Sequence, residues 1–418
     1  MKFSHYLLLL TLSVLLLLTA CEQKPLLTQA TFTPSTISPN ADGRDDLATI
    51  SFQLNRNATV AINLYDESGM QYTFRSPTPL SLNEEPYSVL FPGVVEGFTT
   101  TDEESPYQVL KQVLPDGLYQ WEISAETAAG EHAAITGNLL VEDADTELPG
   151  ITGFTIYPQE FSPNQDGLAD RVRINAFLQK DVESLELYML DTTGVRHHIA
   201  EEENNPTRVN QAGMHTFDYD GGIDAGAAPP PDGTYTIYAE ARDMVGQRVL
   251  VTDELTLVNA GRPLAYILNA EVEWSTQSTL VLGETLYFTL TVENDSNTLI
   301  RTSGPAAGTV YTSDQNYATL GGTIESGVFR VGVHCENSMI NYPWRWAIGN
   351  PEDLIEDEVG HLYLPPAKRA VVTGGIRFVD VVEARNPQYC WAGLIHEDVE
   401  IAPVNNNVDP LFLKIISP

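Results

Sequence analysis

Apolar residues recur at every second position through much of this chain. Ile50, Phe52 and Leu54 alternate with Thr49, Ser51 and Gln53, and Val60, Ile62 and Leu64 repeat the alternation after Asn55-Arg56-Asn57. A period of two marks a strand with one face in a core and the other in water. Further rows follow: Tyr119, Trp121, Ile123 and Ala125; Val172, Ile174 and Ala176; Leu185, Leu187 and Met189; Tyr235, Ile237 and Ala239. Turn signals punctuate them at Tyr65-Asp66-Glu67-Ser68-Gly69, Ala129-Gly130, Asp191-Thr192-Thr193-Gly194 and Val245-Gly246, where Asp and Gly let the chain reverse. No strongly amphipathic helical stretch of useful length interrupts these rows. The predicted class is all-β, built as sandwiches.

The order of the signals repeats. Ser38-Pro39-Asn40-Ala41-Asp42-Gly43-Arg44-Asp45-Asp46 returns as Ser162-Pro163-Asn164-Gln165-Asp166-Gly167-Leu168-Ala169-Asp170, both reading S-P-N-x-D-G-x-x-D. Pro115-Asp116-Gly117-Leu118-Tyr119 returns as Pro231-Asp232-Gly233-Thr234-Tyr235. Two related modules are implied, over 32–147 and 148–260. The first is longer, and its insertion is placed in the polar stretch Val95 to Tyr107. Gly261-Arg262-Pro263 opens a third domain, 261–418, whose inward rows are Leu286, Phe288, Leu290 and Val292, then Phe329, Val331, Val333 and Cys335, then Cys390, Ala392 and Leu394. Three tandem Ig/Fn3-like β-sandwich domains are the expectation.

Residues 32–258 resemble FlgD-type Ig-like and fibronectin-III-like modules. The likeness is carried by the two S-P-N-x-D-G-x-x-D loops, the D-x-x-G turns, Phe217-Asp218-Tyr219-Asp220-Gly221-Gly222, the P-D-G-x-Y turns and Ala241-Arg242-Asp243. Module one departs from it with Phe91-Pro92-Gly93 and with Ala125-Glu126-Thr127. The resemblance implies spacing and binding rather than catalysis. Tyr342-Pro343-Trp344-Arg345-Trp346 and Trp391 to Glu397 are similar to Ig-like domains of multidomain bacterial surface proteins.

The start of the chain has a different pattern. Lys2 precedes the apolar run Leu7 to Leu18, which ends in Leu18-Thr19-Ala20-Cys21. The run is too short to span a bilayer, and its ending resembles a bacterial lipoprotein signal. That resemblance implies a signal peptide over 1–20, lipid on Cys21, a polar tether over 21–31, and a cell-envelope protein anchored on the extracytoplasmic face. Cleavage after Ala20 without lipidation is the other reading.

Charge narrows the partners. The 418 residues carry 22 Lys and Arg against 57 Asp and Glu, a formal net charge of −35. Such a surface repels nucleic acid and anionic lipid heads and favours divalent cations. No nucleic-acid partner is expected. The expected partners are the membrane through Cys21, other envelope proteins and surface glycans.

Candidate chemistry is sparse. Asn40, Asp42 and Asp46, and again Asn164, Asp166 and Asp170, have a spacing that suits calcium. The same residues equally suit turns capped on backbone N–H groups with no metal. Trp344, Trp346 and Trp391 offer stacking surfaces for sugar if exposed, and core packing if not. Cys335 and Cys390 are expected to form a disulfide in an oxidising compartment. His197-His198 point to opposite faces of a strand and do not converge on an ion. Asp218, Asp220 and Asp224 read as turn residues rather than a glycosidase pair. With no G-x-S-x-G, H-E-x-x-H, P-loop or G-x-G-x-x-G in a fitting context, a non-enzyme is expected: an adhesive, scaffolding or ligand-presenting lipoprotein, or alternatively a carbohydrate-binding accessory. A hydrolase with an unrecognised site is the remaining alternative.

Overall fold

The computed structural model describes residues 24–99, 107–191, 193–381 and 383–418. The signal segment and Cys21 lie outside the described residues, as does part of the expected insertion. Within them the fold is strands joined by turns and five three-residue 3₁₀ turns.

Module one holds β1 (Leu27–Thr33), β2 (Thr36–Ile37), β3 (Ala48–Leu54), β4 (Ala58–Tyr65) and β5 (Gln71–Leu80). It continues with β6 (Tyr87–Phe91), β7 (Val94–Thr99), β8 (Tyr107–Val113), β9 (Gly117–Glu126) and β10 (His132–Val141). The sheet β1-β3-β6 faces the sheet β2-β10-β9-β4-β5. Ile50, Phe52, Leu54, Val60, Ile62, Leu64, Trp121 and Ile123 meet between them as one core. The strand begins earlier than the expected tether allows. Leu26 and Leu27 are buried and β1 pairs with β3, so the chain enters the sandwich five residues inside the stretch 21–31.

Module two repeats the plan with β11 (Ile151–Tyr157), β12 (Glu160–Phe161), β13 (Val172–Leu178) and β14 (Ser184–Leu190). Then come β15 (Arg196–Ile199), β16 (Gly213–Tyr219), β17 (Gly233–Arg242) and β18 (Arg248–Leu257). One sheet is β11-β13-β16, and the other runs β15-β14-β17-β18. In both modules the short second strand joins the other sheet: β2 pairs with β10, and β12 with β18, in parallel. The two P-D-G-x-Y turns close alike, because Tyr119 Oη donates to the Pro115 carbonyl at 2.8 Å and Tyr235 Oη to that of Pro231 at 2.7 Å. The D-x-x-G turns match too. Asp66 accepts from the N–H groups of Ser68 and Met70, and Asp191 from those of Thr193 and Val195.

The insertion does something its sequence does not announce. β7 and β8 form a hairpin, and β8 pairs antiparallel with β18, so a piece of module one extends the sheet of module two to β15-β14-β17-β18-β8-β7. The cores stay separate.

Domain three holds β19 (Ala265–Ile267), β20 (Glu273–Trp274), β21 (Thr279–Val281), β22 (Thr285–Asn294), β23 (Ile300–Thr302) and β24 (Val310–Thr312). Next are β25 (Phe329–Cys335), β26 (Trp344–Ala347), β27 (Ile355–Glu356) and β28 (Leu362–Leu364). It ends with β29 (Arg369–Arg377), β30 (Gln388–His396) and β31 (Val408–Ile416). A sheet β19-β22-β29-β24 packs on β21-β31-β30-β25-β23-β28-β27. The disulfide forms between Cys335 and Cys390. It does not bridge the two sheets: the cysteines are direct partners on β25 and β30, with Cα atoms 4.1 Å apart.

Candidate functional site

The two S-P-N loops have the same internal chemistry. In the first, the Asp46 carboxylate accepts the N–H groups of Asn40, Ala41 and Gly43, Asn40 Oδ1 that of Asp42, and Asp42 Oδ1 that of Arg44. In the second, Asp170 accepts from Asn164, Asp166 and Gly167, Asn164 Oδ1 from Asp166, and Asp166 Oδ1 from Leu168. Each loop is thus a ring of N–H dipoles aimed inward, filled by its own carboxylate. Every one of these side chains therefore acts as a cap on backbone N–H groups, the reading of the loops that needs no metal. Among the described residues no group of three or more His, Cys, Asp or Glu is placed to hold a metal. Asp170→Ala is expected to destabilise module two by about 2 kcal/mol, through loss of charge-assisted bonds to buried backbone. Thermal unfolding reads it. A wild-type melting temperature that rises with added calcium would overturn the capping account.

The loops sit where each module hands over to the next. The Pro39 carbonyl accepts the N–H of Asp145 at 3.0 Å, and the Pro163 carbonyl that of Gly261 at 3.1 Å. Both lie four positions past the last strand of their module (145 − 141 and 261 − 257) and are caught by equivalent atoms. A glycine is required beside each proline. Gly93 (φ 73°) and Gly221 (φ 78°) would each place a Cβ 2.9 Å from the ring carbons of Pro39 and Pro163, in a region L-residues avoid. Gly93 therefore does the work of Gly221, while Pro92 lacks the carboxylate with which Asp220 caps the N–H groups of Gly222 and Asp224. Thr127 likewise stands in for Asp243, its hydroxyl accepting the Glu131 N–H where Asp243 accepts those of Gly246 and Gln247.

Joint one is a clasp on the linker. Gln247, almost fully buried, accepts the Val113 N–H and donates to the carbonyls of Asp145 and Glu147. Lys180 Nζ binds Asp145 at 2.8 Å, Asp243 at 3.1 Å and the Glu147 carbonyl. Neither Gln247 nor Lys180 stood out in the sequence. The P-D-G-x-Y repeat marks the strands around them, but nothing local says that a linker passes over them.

Joint two is tighter. Asn164 and Asp166 are buried, unlike their counterparts Asn40 and Asp42, because domain three covers the second loop. A Cβ on Gly167 would collide with the Ser326 carbonyl, and one on Gly327 with the Asp166–Gly167 peptide. Burial raises the Asp166 and Asp170 carboxyls above their ordinary range. His396 Nε2 donates to the Gln165 carbonyl at 2.8 Å, and its ring stacks on Phe329. Burial pushes this imidazole down to about 4, outweighing the pull of the Gln165 and Gly327 carbonyls. A group that titrates at 6.5 unfolded and near 4 folded binds more protons when unfolded between those values. Its contribution is therefore present above pH 6.5 and lost as pH falls toward 4. Lowering pH from 6.5 to 5 is expected to remove about 2 kcal/mol, and His396→Phe to flatten that slope, as read from denaturant melts across the range. A slope unchanged in the variant would refute it.

Behind His396 lies a buried charge network. Arg330, with no exposed surface, donates to Glu397 Oε1 at 2.9 Å, Glu325 Oε1 at 3.0 Å and both oxygens of Ser303. Arg345 adds two bonds to Glu397 at 2.7 and 2.8 Å. The Tyr317 ring lies 4.8 Å from the Arg330 guanidinium.

The remaining candidates resolve individually. Trp344 and Trp346 are buried, their indole N–H groups bonded to the carbonyls of Gln315 and Thr309. The stacking platform considered for them is not formed, because their face of β26 looks into the sandwich. Trp391 is half-buried against His334. His197 bonds to Asp191 rather than sharing an ion with His198. Asp218 and Asp224 are tied to Arg171, while Asp220 caps the N–H groups of Gly222 and Asp224.

No protein-family model matches this sequence, and no curated protein does. Among solved structures, the chain is similar to a Ca²⁺-stabilized adhesin with which an Antarctic bacterium binds ice, at 11% identity, 90% coverage of this chain, 83% of that one and TM-score 0.21. A tetra-tandem repeat from the extending region of a large adhesion protein gives 14%, 88%, 81% and 0.18. The SGBP-B protein of the Bacteroides ovatus mixed-linkage glucan utilization locus, bound to a heptasaccharide, gives 10%, 93%, 71% and 0.15. Likenesses this weak carry no argument about function. No helix among the described residues is long and apolar enough to cross a membrane.

Proposed function

We propose that this chain is a non-enzymatic cell-surface lipoprotein whose first two modules form a stiff spacer, anchored by lipid on Cys21, that presents domain three as an adhesive or scaffolding surface. The observation that carries the reading is the pair of joints. Each S-P-N loop catches the next linker, and the hairpin of β7 and β8 ties modules one and two through a shared sheet. Independent domains on a flexible linker need neither. The ladder between β8 and β18 adds main-chain bonds that must break before the two modules can bend apart. The FlgD-type likeness of both modules and the strongly acidic surface support the same reading.

Two measurements test it. Spin labels at the exposed positions Glu67 and Glu203 should give one narrow distance distribution in the full chain; a broad one would remove the spacer. In cells, the protein should fractionate with membranes and lose that retention in Cys21→Ala. A soluble wild type, or a variant that stays with the membrane, would remove the lipid anchor.

A further inference from the structure

The chain is pinned to module one almost as soon as it leaves Cys21. Arg56 Nη1 donates to the Lys24 carbonyl at 3.0 Å, Asn55 Nδ2 to that of Pro25 at 2.7 Å, and the Asn55 N–H to that of Leu26 at 3.0 Å. Leu26 is itself buried in the core. One turn thus holds three successive carbonyls, and only Glu22 and Gln23 separate Lys24 from Cys21. Three chain steps reach at most about 11 Å. The headgroup layer on each side of a bilayer is roughly 5–8 Å thick. Lipid on Cys21 therefore leaves this end of the module no room to stand clear of the membrane.

The end in question is formed by residues 24–26 and the turns 55–57, 81–86 and 127–131, because β1, β4, β6 and β10 begin there and β3, β5 and β9 end there. The Asp66 turn and the first S-P-N loop lie at the other end, beyond the eight residues of β4, which measure about 26 Å. Every residue from Ser81 to Pro86 is exposed, Leu82 by 56%. Asn57 Oδ1 accepts the Leu82 N–H at 2.7 Å, so the loop is tied to the same turn that pins the chain. Lys24, Pro25, Leu82 and Asn83 line one groove together with Gln53 and Asn55.

We propose that this end of module one seats in the headgroup layer of the membrane that holds the anchor, with the loop 81–86 and its exposed Leu82 as the contact. Leu82 offers apolar surface to the acyl boundary. Lys24, which makes no ion pair among the described residues, offers its ammonium to lipid phosphate. Glu84 and Glu85 hold the loop at headgroup depth and disfavour anionic lipid, so the surface it fits is zwitterionic. The inference rests on lipid at Cys21 and deepens that reading.

The test uses the full lipidated chain reconstituted into phosphatidylcholine vesicles. With Cys21 acylated and Cys335 bonded to Cys390, Ser81→Cys supplies a single free thiol for a fluorophore, and Glu67→Cys, at the other end, supplies the control. A lipid spin-labelled on its headgroup should quench the fluorophore at 81 and leave the one at 67 unchanged. Inserting about twelve Gly and Ser residues after Gln23 should abolish the quenching, because such a linker spans about 20 Å. Protein that floats with the vesicles but shows no quenching at 81, or equal quenching at both positions, overturns the inference and leaves the anchor standing. Quenching that survives the insertion overturns it too, since the short tether would then not be the cause. Protein that does not float removes the anchor, and this inference with it.

Discussion

Replacing Glu397 with Ala is expected to cost domain three about 3–5 kcal/mol, the largest effect of any single polar substitution considered. The carboxylate is 3% exposed and holds two guanidinium groups, one of them fully buried. Its removal leaves Arg330 with Glu325, a half-exposed partner, and the oxygens of Ser303. Water cannot reach the guanidinium to compensate. The main chain of Glu397 also bonds to Gly327 and Val328, the segment packed on the second S-P-N loop, so the loss should loosen joint two as well. In a domain of this size the unfolding midpoint should fall by about 10 °C. Glu397→Gln keeps the shape and one acceptor and should lose less. The double variant Arg330→Met, Glu397→Leu should recover much of the loss, because a buried ion pair costs desolvation that an apolar pair does not. A Glu397→Ala protein within about 1 kcal/mol of wild type would mean that the network is hydrated in solution.

That network marks where sequence reading stops. The period-two rows of Ile50 to Leu64, Val172 to Met189 and Leu286 to Val292 all became core strands, because one-sided burial writes itself into alternation. Arg330 alternates with Phe329 and Val331, which places it on a wet face. The opposite face of β25 is covered instead, by Tyr342, which a Cβ on Gly332 would strike, and by the Tyr317 ring 4.8 Å from the Arg330 guanidinium. Alternation assumes that one face of the sheet meets water, and it fails where both faces are packed. The capped turns at Asp46 and Asp170 were legible because Asx chemistry is local. The joints were not. The extra length of module one points to an insertion in Val95 to Tyr107, but nothing local says that its strands pair with each other or which sheet edge receives them. Gly167 and Gly327 lie 160 positions apart (327 − 167) and acquire meaning only when their backbones touch. The signals missed are those whose partner is distant in the chain.

Removing the disulfide is the other large expected effect. Cys335 and Cys390 close a loop of 55 residues, which on the chain-entropy account confines the unfolded state by about 4 kcal/mol. Its placement adds a native-state argument. Cys335 is the last residue of β25, and the register between β30 and β31 slips between Cys390 and Ala392. The covalent link therefore holds β25 to β30 where the hydrogen-bond ladder beside them is irregular. Cys335→Ala with Cys390→Ala should lower the domain-three transition by about 10 °C, while the transitions of modules one and two, whose cores are separate, stay where they are. Calorimetry of the full chain resolves the two outcomes, and a reductant added to wild type should reproduce the variant. If all three transitions move together, the modules unfold as one unit, and the link acts through the joints rather than through domain three alone.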